Sequence, residues 1–388
     1  MNLKPQSVSL ERVIISGGGT GGHIHPAVAI ADEIKQRYPN CEILFVGALG
    51  RMEMEKVPKA GYPIEGLWIS GIDRNWRSKR NLLFPFKLIS SLVKAGRIIR
   101  KFKPQLAVGV GGFASGPLLY RAALRGIPTA IQEQNSFPGI TNRLLANKVQ
   151  LICAGFPGLD RWFPAERIIE TGNPLRENVT SIQSLAPDQK TEALAHFRFS
   201  EKRPVAFIMG GSLGAGSINE AVLAMANQIA EKQQALPYDL LWQCGARFHA
   251  EMEMALDNVK LPAEQIIRCL GFIDRMDHAY AAADVIASRA GAMSIAELAL
   301  VGKPTLLVPS PVVAEDHQTK NARSLSDRGG ALLLSDHEVV NRLEKELSQL
   351  FGDPQQQLSL TNALKGSARP QAAQEVVSAL EKLMNQAT

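Results

Sequence analysis

Two doubly wound parallel sheets, each wrapped by helices, is the fold class that this sequence predicts. Three observations predict it. Short apolar runs alternate with amphipathic helical runs along most of the 388 residues, the pattern of βα units in parallel sheets. The stretch 13–31, VIISGGGTGGHIHPAVAIA, reads as a buried strand, a glycine loop and a helix start. The same order of strand, glycine loop and helix returns at 205–230, so the chain holds two such domains, which its length accommodates.

In the first half, strands are predicted at 13–16, 43–46, 106–110, 129–132, 151–154 and 168–170, with helices such as 27–37 and 116–125 between them. Pro26 would open the first helix, because a proline lacks only an N–H that the first turn leaves unpaired. A boundary falls near 172–176 and a polar stretch follows through 189. The second half begins with a strand at 205–209, a loop at 210–216 and a helix at 217–230. Strands at 240–243, 266–270, 285–287 and 305–308 follow, and the chain ends in a helix at 371–384. The expected domains are 1–175 and 176–388, with the last helix free to pack on either.

Composition narrows the functional classes. Apolar residues make up 45% and charged residues 21%, a globular balance. The four cysteines, Cys41, Cys153, Cys244 and Cys269, form no CxxC pair and three lie in or beside apolar runs, as buried thiols do in a reducing compartment. No apolar run reaches 18 residues, and the first residues lack a signal-peptide core, which predicts a cytosolic or peripheral protein. The net charge of +6 favours an anionic partner. Nucleic acid is a poor choice, since no recognition motif accompanies the charge.

Gly17, Gly18, Gly19, Thr20, Gly21 and Gly22 leave room for a ligand to meet the backbone. A glycine loop running into a helix start offers outward N–H groups and a favourable dipole to an anion. His23 stands at the mouth of that loop, where an imidazole can take a proton from a hydroxyl. Gly17, Gly19 and Gly22 also satisfy the dinucleotide fingerprint. That reading needs an acid at the end of the second strand, and Gly47, Ala48 and Leu49 stand there instead. Three further glycine loops, 109–116, 210–216 and 288–294, each follow an apolar strand and precede a helix. Four loops so arranged suit a ligand carrying a diphosphate and several hydroxyls.

The segments GGGTGGHIHPA, GVGGFASGP, QEQNSFPGITNRLLA, GNPLR, GGSLGA, GFIDRM, SRAGAMSIAEL and EDHQTKNA run in order from residue 17 to residue 322. Together they make the chain resemble the MurG family, the UDP-GlcNAc transferases that convert lipid I to lipid II in peptidoglycan synthesis. The resemblance implies a GT-B fold, two Rossmann-like domains facing a central cleft. The carboxyl-terminal domain would hold UDP-GlcNAc and the amino-terminal domain the undecaprenyl-diphosphate-linked acceptor, at the cytoplasmic face of the plasma membrane. Transfer would invert the anomeric carbon and form a β1→4 bond to the muramoyl C4 hydroxyl. By position, His23 matches the candidate base, with Glu133 as a backup. Thr20, Gly21 and Gly22 match the sugar-site loop, and Asn135 the asparagine near acceptor and donor sugar. Arg176 matches the hinge-motif arginine, Ser212 the serine beside UDP and Ile273 the uracil contact. Ala292, Met293, Ser294, Ile295, Ala296 and Glu297 match the segment wrapping the nucleotide, with Glu297 on the ribose hydroxyls, as a carboxylate that accepts two hydrogen bonds can do. Gln318 matches a glutamine on the GlcNAc hydroxyls. Two positions depart from the family. Gln132 stands where many relatives carry histidine, and His317 where some carry a second glutamine.

No cofactor is expected. No DxD or metal-spaced His/Asp cluster occurs, so helix-start N–H groups would stabilise the departing UDP. Arg289 could add charge there or form a structural salt bridge. The stretch 75–103 carries nine basic residues and no acid, interleaved with apolar side chains. Membrane contact is expected at Trp76, Arg77, Lys79, Arg80, Leu82, Leu83, Phe84 and Phe86, on an anionic surface. Rival readings are a transferase with a diacylglycerol acceptor, a UDP-GlcNAc 2-epimerase, and a silent UDP-sugar sensor. The epimerase would need no basic apolar patch, and acceptor-dependent turnover separates the others.

Overall fold

A computed structural model describes residues 9–71, 82–175, 187–211 and 213–387. The chain divides into two units, one of residues 1–176 and 369–388, the other of 177–368. Trp76, Arg77, Lys79, Arg80, Arg176 and Ser212 lie outside the described residues.

The first unit is built from β1 (Arg12–Gly17), α1 (Gly21–Arg37), β2 (Glu42–Ala48), α2 (Glu53–Lys59), β3 (Ile64–Leu67), α3 (Phe84–Phe102) and β4 (Leu106–Gly111). It continues through α4 (Ser115–Ala123), β5 (Thr129–Glu133), α5 (Ile140–Leu145), β6 (Leu151–Ala154) and β7 (Ile168–Glu170). Seven parallel strands lie in the order β3-β2-β1-β4-β5-β6-β7. Helices cover both faces of such a sheet, so its strands read as continuous apolar runs. Val13, Ile14 and Ile15 accordingly lose all solvent contact.

The second unit runs α6 (Pro187–His196), β8 (Val205–Met209), α7 (Gly216–Lys232), β9 (Asp239–Gln243), α8 (His249–Asp257), β10 (Ile267–Leu270) and α9 (Met276–Ala282). Then come β11 (Val285–Ser288), α10 (Ala292–Val301), β12 (Thr305–Leu307), α11 (His317–Ser326), β13 (Leu332–Leu333), α12 (Val339–Gly352) and α13 (Pro354–Gly366). The six strands lie in the order β10-β9-β8-β11-β12-β13. In each unit the strand order reverses beside the first strand, between β1 and β4 and between β8 and β11. All four glycine loops follow these four strands. In doubly wound sheets, ligands bind at the carboxyl ends of strands at that reversal.

The last helix, α14 (Ala372–Ala387), belongs to the first unit. Its Val376, Val377, Leu380 and Met384 join the core under α1. Arg37 of α1 holds both carboxylate oxygens of Glu381 at 3.1 Å and the Gln374 carbonyl at 2.9 Å.

One helix boundary differs from expectation. α1 starts at Gly21, with Thr20 extended as its cap (φ −146°, ψ 161°), so Pro26 sits inside it. The two glycines bring the helix start forward to the loop, and the Gly22 carbonyl forgoes its bond to residue 26. His23 and His25 are thereby helical residues rather than loop residues.

Candidate active site

The first glycine loop is held from beneath. Gly19, with φ +85°, donates its N–H to Glu53 Oε2 at 2.8 Å, and Ala48 N–H donates to Glu53 Oε1 at 3.0 Å. Thr20 and Gly22 are exposed, and Gly21 and His23 half-buried. The Thr20 carbonyl accepts from the His23 and Ile24 N–H groups at 3.2 Å, which closes the first turn of α1. His23 Nδ1 lies 2.8 Å from the Gly18 carbonyl. A carbonyl only accepts, so Nδ1 carries the proton and, in the neutral ring, Nε2 keeps a lone pair.

The second glycine loop seats that histidine. Gly111 has φ +106°, and a Cβ there would come within 2.7 Å of His23 Cδ2. Gly112 has φ +89°, and a Cβ there would overlap the Gly18 carbonyl. Ser115 Oγ donates to Ser16 O at 3.0 Å and to Gly111 O at 2.9 Å, tying the two loops at their base.

Glu133 is 1% exposed and does not stand ready as a base. Its oxygens accept from Asn135 N (3.0 Å), Asn135 Nδ2 (3.2 Å), Gly139 N (3.1 Å) and Asn142 Nδ2 (2.8 Å). Four donors occupy the lone pairs a base would need, so its work is to shape the loop 134–139 that presents Asn135. The neighbouring amides join two motifs. Gln132 Nε2 donates to Asn173 Oδ1 at 3.1 Å, Asn173 Nδ2 to Gln134 O at 2.9 Å, and Gln134 Nε2 to Val110 O at 2.8 Å.

In the second unit, Gly211 and Gly214 have φ of +80° and +73°, and Asn219 Nδ2 anchors the loop through the Cys244 carbonyl at 3.0 Å. Gly291 caps α10 in an extended conformation. Ala292 and Ile295 are buried, which leaves them only backbone groups to offer. Met293, Ser294, Ala296 and Glu297 are half-buried. Glu297 Oε2 accepts from Tyr280 OH at 2.9 Å. Tyr280 is fully buried, and desolvation, followed by the Glu297 charge, raises its pKa well above the ordinary phenol value, so it remains a donor. Ile273 is 4% exposed, so a base at that position would meet its backbone.

Gln318 Oε1 accepts from Ala290 N at 3.2 Å and Ser310 N at 2.9 Å, leaving the Nε2 end to donate to a ligand. Arg289 is committed to structure. It pairs with Asp336 and donates to Val308 O at 3.0 Å and Ser217 Oγ at 2.9 Å, joining the fourth glycine loop to the start of α7. His317 Nε2 lies 3.6 Å from Glu315 Oε2.

Of the described residues expected at the membrane, Leu82, Leu83 and Phe86 are exposed and Phe84 is half-buried. Leu82, Leu83, Phe86, Ile89 and Val93 are exposed, the last three at helical spacing on one face. Arg97, Arg100 and Lys101 extend that side of the helix as exposed residues. Phe84 instead is half-buried and packs against the core of the first unit. Lys87 bonds Ser70 Oγ at 2.9 Å, and Lys94 pairs with Glu65 at 3.9 Å, so both turn toward β3. Among the described residues no helix is long and apolar enough to cross a membrane.

Sequence reasoning missed Glu53, Tyr280 and Asn219. Each acts through a hydrogen bond to a residue distant in sequence, Glu53 to Gly19, Tyr280 to Glu297 and Asn219 to Cys244. For Glu53 the available signal was an acid at the start of the helix after β2, a few residues past the place where a dinucleotide fold would carry one.

The model of the Glycosyltransferase family 28 N-terminal domain matches residues 13–153, and that of the C-terminal domain matches 205–376. A UDP-N-acetylglucosamine--N-acetylmuramyl-(pentapeptide) pyrophosphoryl-undecaprenol N-acetylglucosamine transferase of Christiangramia forsetii is 49% identical, over 96% of this chain and 98% of that protein. One of the same description from Flavobacterium psychrophilum is 44% identical, over 96% and 98%. The crystal structure of Acinetobacter baumannii MurG aligns with TM-score 0.76 at 30% identity, over 96% of this chain and 99% of that one. A UDP-GlcNAc 2-epimerase from Neisseria meningitidis shares the fold at TM-score 0.63 and 14% identity, over 96% and 100%.

Proposed function

We propose a division of labour from one premise: the chain belongs to glycosyltransferase family 28, among its UDP-N-acetylglucosamine–N-acetylmuramyl-(pentapeptide) pyrophosphoryl-undecaprenol N-acetylglucosamine transferases. It is an enzyme of GT-B fold that moves GlcNAc from UDP-GlcNAc to lipid I, forming lipid II. Identity of 49% across 96% of the chain carries that conclusion.

In our reading the first unit binds the lipid-linked acceptor and the second binds UDP-GlcNAc. His23 Nε2 takes the proton of the muramoyl C4 hydroxyl as its oxygen attacks C1 of GlcNAc. The C1–O bond to the diphosphate breaks, UDP leaves with the electron pair, and C1 inverts. Support comes from the His23 Nδ1 contact to Gly18 O, which leaves Nε2 as the basic nitrogen. The backbone N–H groups opening α7 and α10 suit the leaving diphosphate. Glu297, oriented by Tyr280, receives the ribose hydroxyls, and Gln318 Nε2 donates to the sugar. Asn135 faces the acceptor, and Thr20, Gly21 and Gly22 line the sugar site. Ser212 and Arg176 keep their roles beside UDP and in the hinge motif.

The exposed face of α3, continued in sequence by Trp76, Arg77, Lys79 and Arg80, rests on the anionic cytoplasmic surface of the plasma membrane. Basic residues near such a surface contribute about 1 kcal/mol each. The test is UDP release from UDP-GlcNAc with and without a lipid I analogue. Release that depends on the acceptor is expected. Release without it, or binding with no release, would overturn the reading.

A further inference from the structure

The trans peptide joining Gly18 to Gly19 is held at both ends. Its N–H donates to Glu53 Oε2 at 2.8 Å, and its carbonyl lies 2.8 Å from His23 Nδ1. A peptide unit is planar and rigid, with C=O and N–H pointing in opposite directions. Whatever fixes the N–H therefore aims the carbonyl. We propose that Glu53 is a positioning residue for His23: carboxylate, peptide plane and imidazole form a relay that holds the ring as its Nδ1–H tautomer and strengthens Nε2 as a base. This rests on the reading of His23 as the base.

Three observations carry the relay. Glu53 is 1% exposed, and its second oxygen is fixed by Ala48 N–H at the end of β2 at 3.0 Å, so the carboxylate cannot drift. The space it fills is kept open by two glycines. A Cβ on Gly18 would overlap its carboxyl group, and a Cβ on Gly47 would come within 2.6 Å of its Cγ. Finally, the peptide it holds lies between two glycines, one at φ +85°. Such a peptide is free to turn over unless something holds it, and a turned peptide would present N–H to Nδ1 and reverse the tautomer. A carboxylate on the N–H also polarises the carbonyl into a better acceptor, because hydrogen bonds in a chain reinforce one another. The arrangement does for His23 what an acid bonded directly to a catalytic histidine does elsewhere, with one peptide interposed.

Glu53→Gln keeps the volume and one acceptor but sets an amide N–H against one of the two backbone N–H groups. The full chain, labelled with 15N-histidine, is read at the ring nitrogens of His23, whose signals are assigned by their loss in His23→Ala. Wild type is expected in the Nδ1–H form, and Glu53→Gln in a mixture with the Nε2–H form. In the same variant kcat should fall about tenfold or more while KM for UDP-GlcNAc stays within twofold. An unchanged tautomer in Glu53→Gln, or an Nε2–H tautomer in wild type, overturns the relay. Should the glutamine variant not fold, Glu53→Asp, one methylene too short to span both N–H groups, is read in the same way. The ring signals test the relay alone. Turnover of His23→Ala tests the base alone, so failure of one is told from failure of the other.

Discussion

At the scale of residues, the proposed chemistry turns on His23. His23→Ala should lower kcat by about 100-fold or more with little change in KM for UDP-GlcNAc; steady-state kinetics on both substrates measure it, and near wild-type turnover would remove His23 as the base. Gly112 makes a separate prediction. Its φ of +89° and the Gly18 carbonyl against it exclude a side chain, so Gly112→Ala should lose about 1–3 kcal/mol in urea unfolding. The residue scale is also where the sequence was least legible. The position of Glu133 beside Asn135 was visible, but three of its four donors come from a loop whose path no local pattern encodes, and the fourth from α5. Glu53 carries no such local signal, because an acid that meets a ribose belongs at the end of β2, whereas this one returns to the loop from the start of α2. Arg289 left two readings open, and only the fold brings Asp336 and Ser217 to it.

At the scale of elements, strands were the most legible, because parallel strands buried on both faces must be apolar without interruption. Boundaries of helices were not. Pro26 suggested a first turn, yet α1 begins at Gly21, since an extended Thr20 caps it. In α3 the periodicity of Phe86, Ile89 and Val93 against Ala95, Ile98 and Ile99 separates an outer from an inner face, and this sends Phe84 inward. The outer face makes a test. Phe86→Asp combined with Ile89→Asp should weaken binding to vesicles containing anionic lipid by about tenfold or more, with turnover of a short-chain soluble acceptor spared; vesicle sedimentation reads the first. Unchanged sedimentation would remove α3 from the membrane contact. Helix α14 makes another. Leu380 is fully buried in the core under α1, so Leu380→Ala should lower the unfolding free energy by about 2–5 kcal/mol. Leu358 of α13 is 61% exposed, and Leu358→Ala should change it by under about 0.5 kcal/mol.

At the scale of the whole molecule, one architecture is used twice. Each unit sets two glycine loops at the reversal of its strand order, where N–H groups of loops and helix starts collect. The repeat was legible because glycine after an apolar run and before a helix is a local signal. Assignment of α14 to the first unit was not, since an amphipathic helix carries no address. The same two-sheet fold serves an epimerase at 14% identity, so fold alone leaves the reaction open, and the 49% identity to a transferase narrows it. The most direct test is to incubate the protein with labelled UDP-GlcNAc and, in parallel, a lipid I analogue or a diacylglycerol, and to analyse the labelled product. A β1→4 GlcNAc–MurNAc disaccharide formed only with the lipid I analogue is predicted. Label transferred to diacylglycerol, or recovered as an epimerised nucleotide sugar, would contradict it.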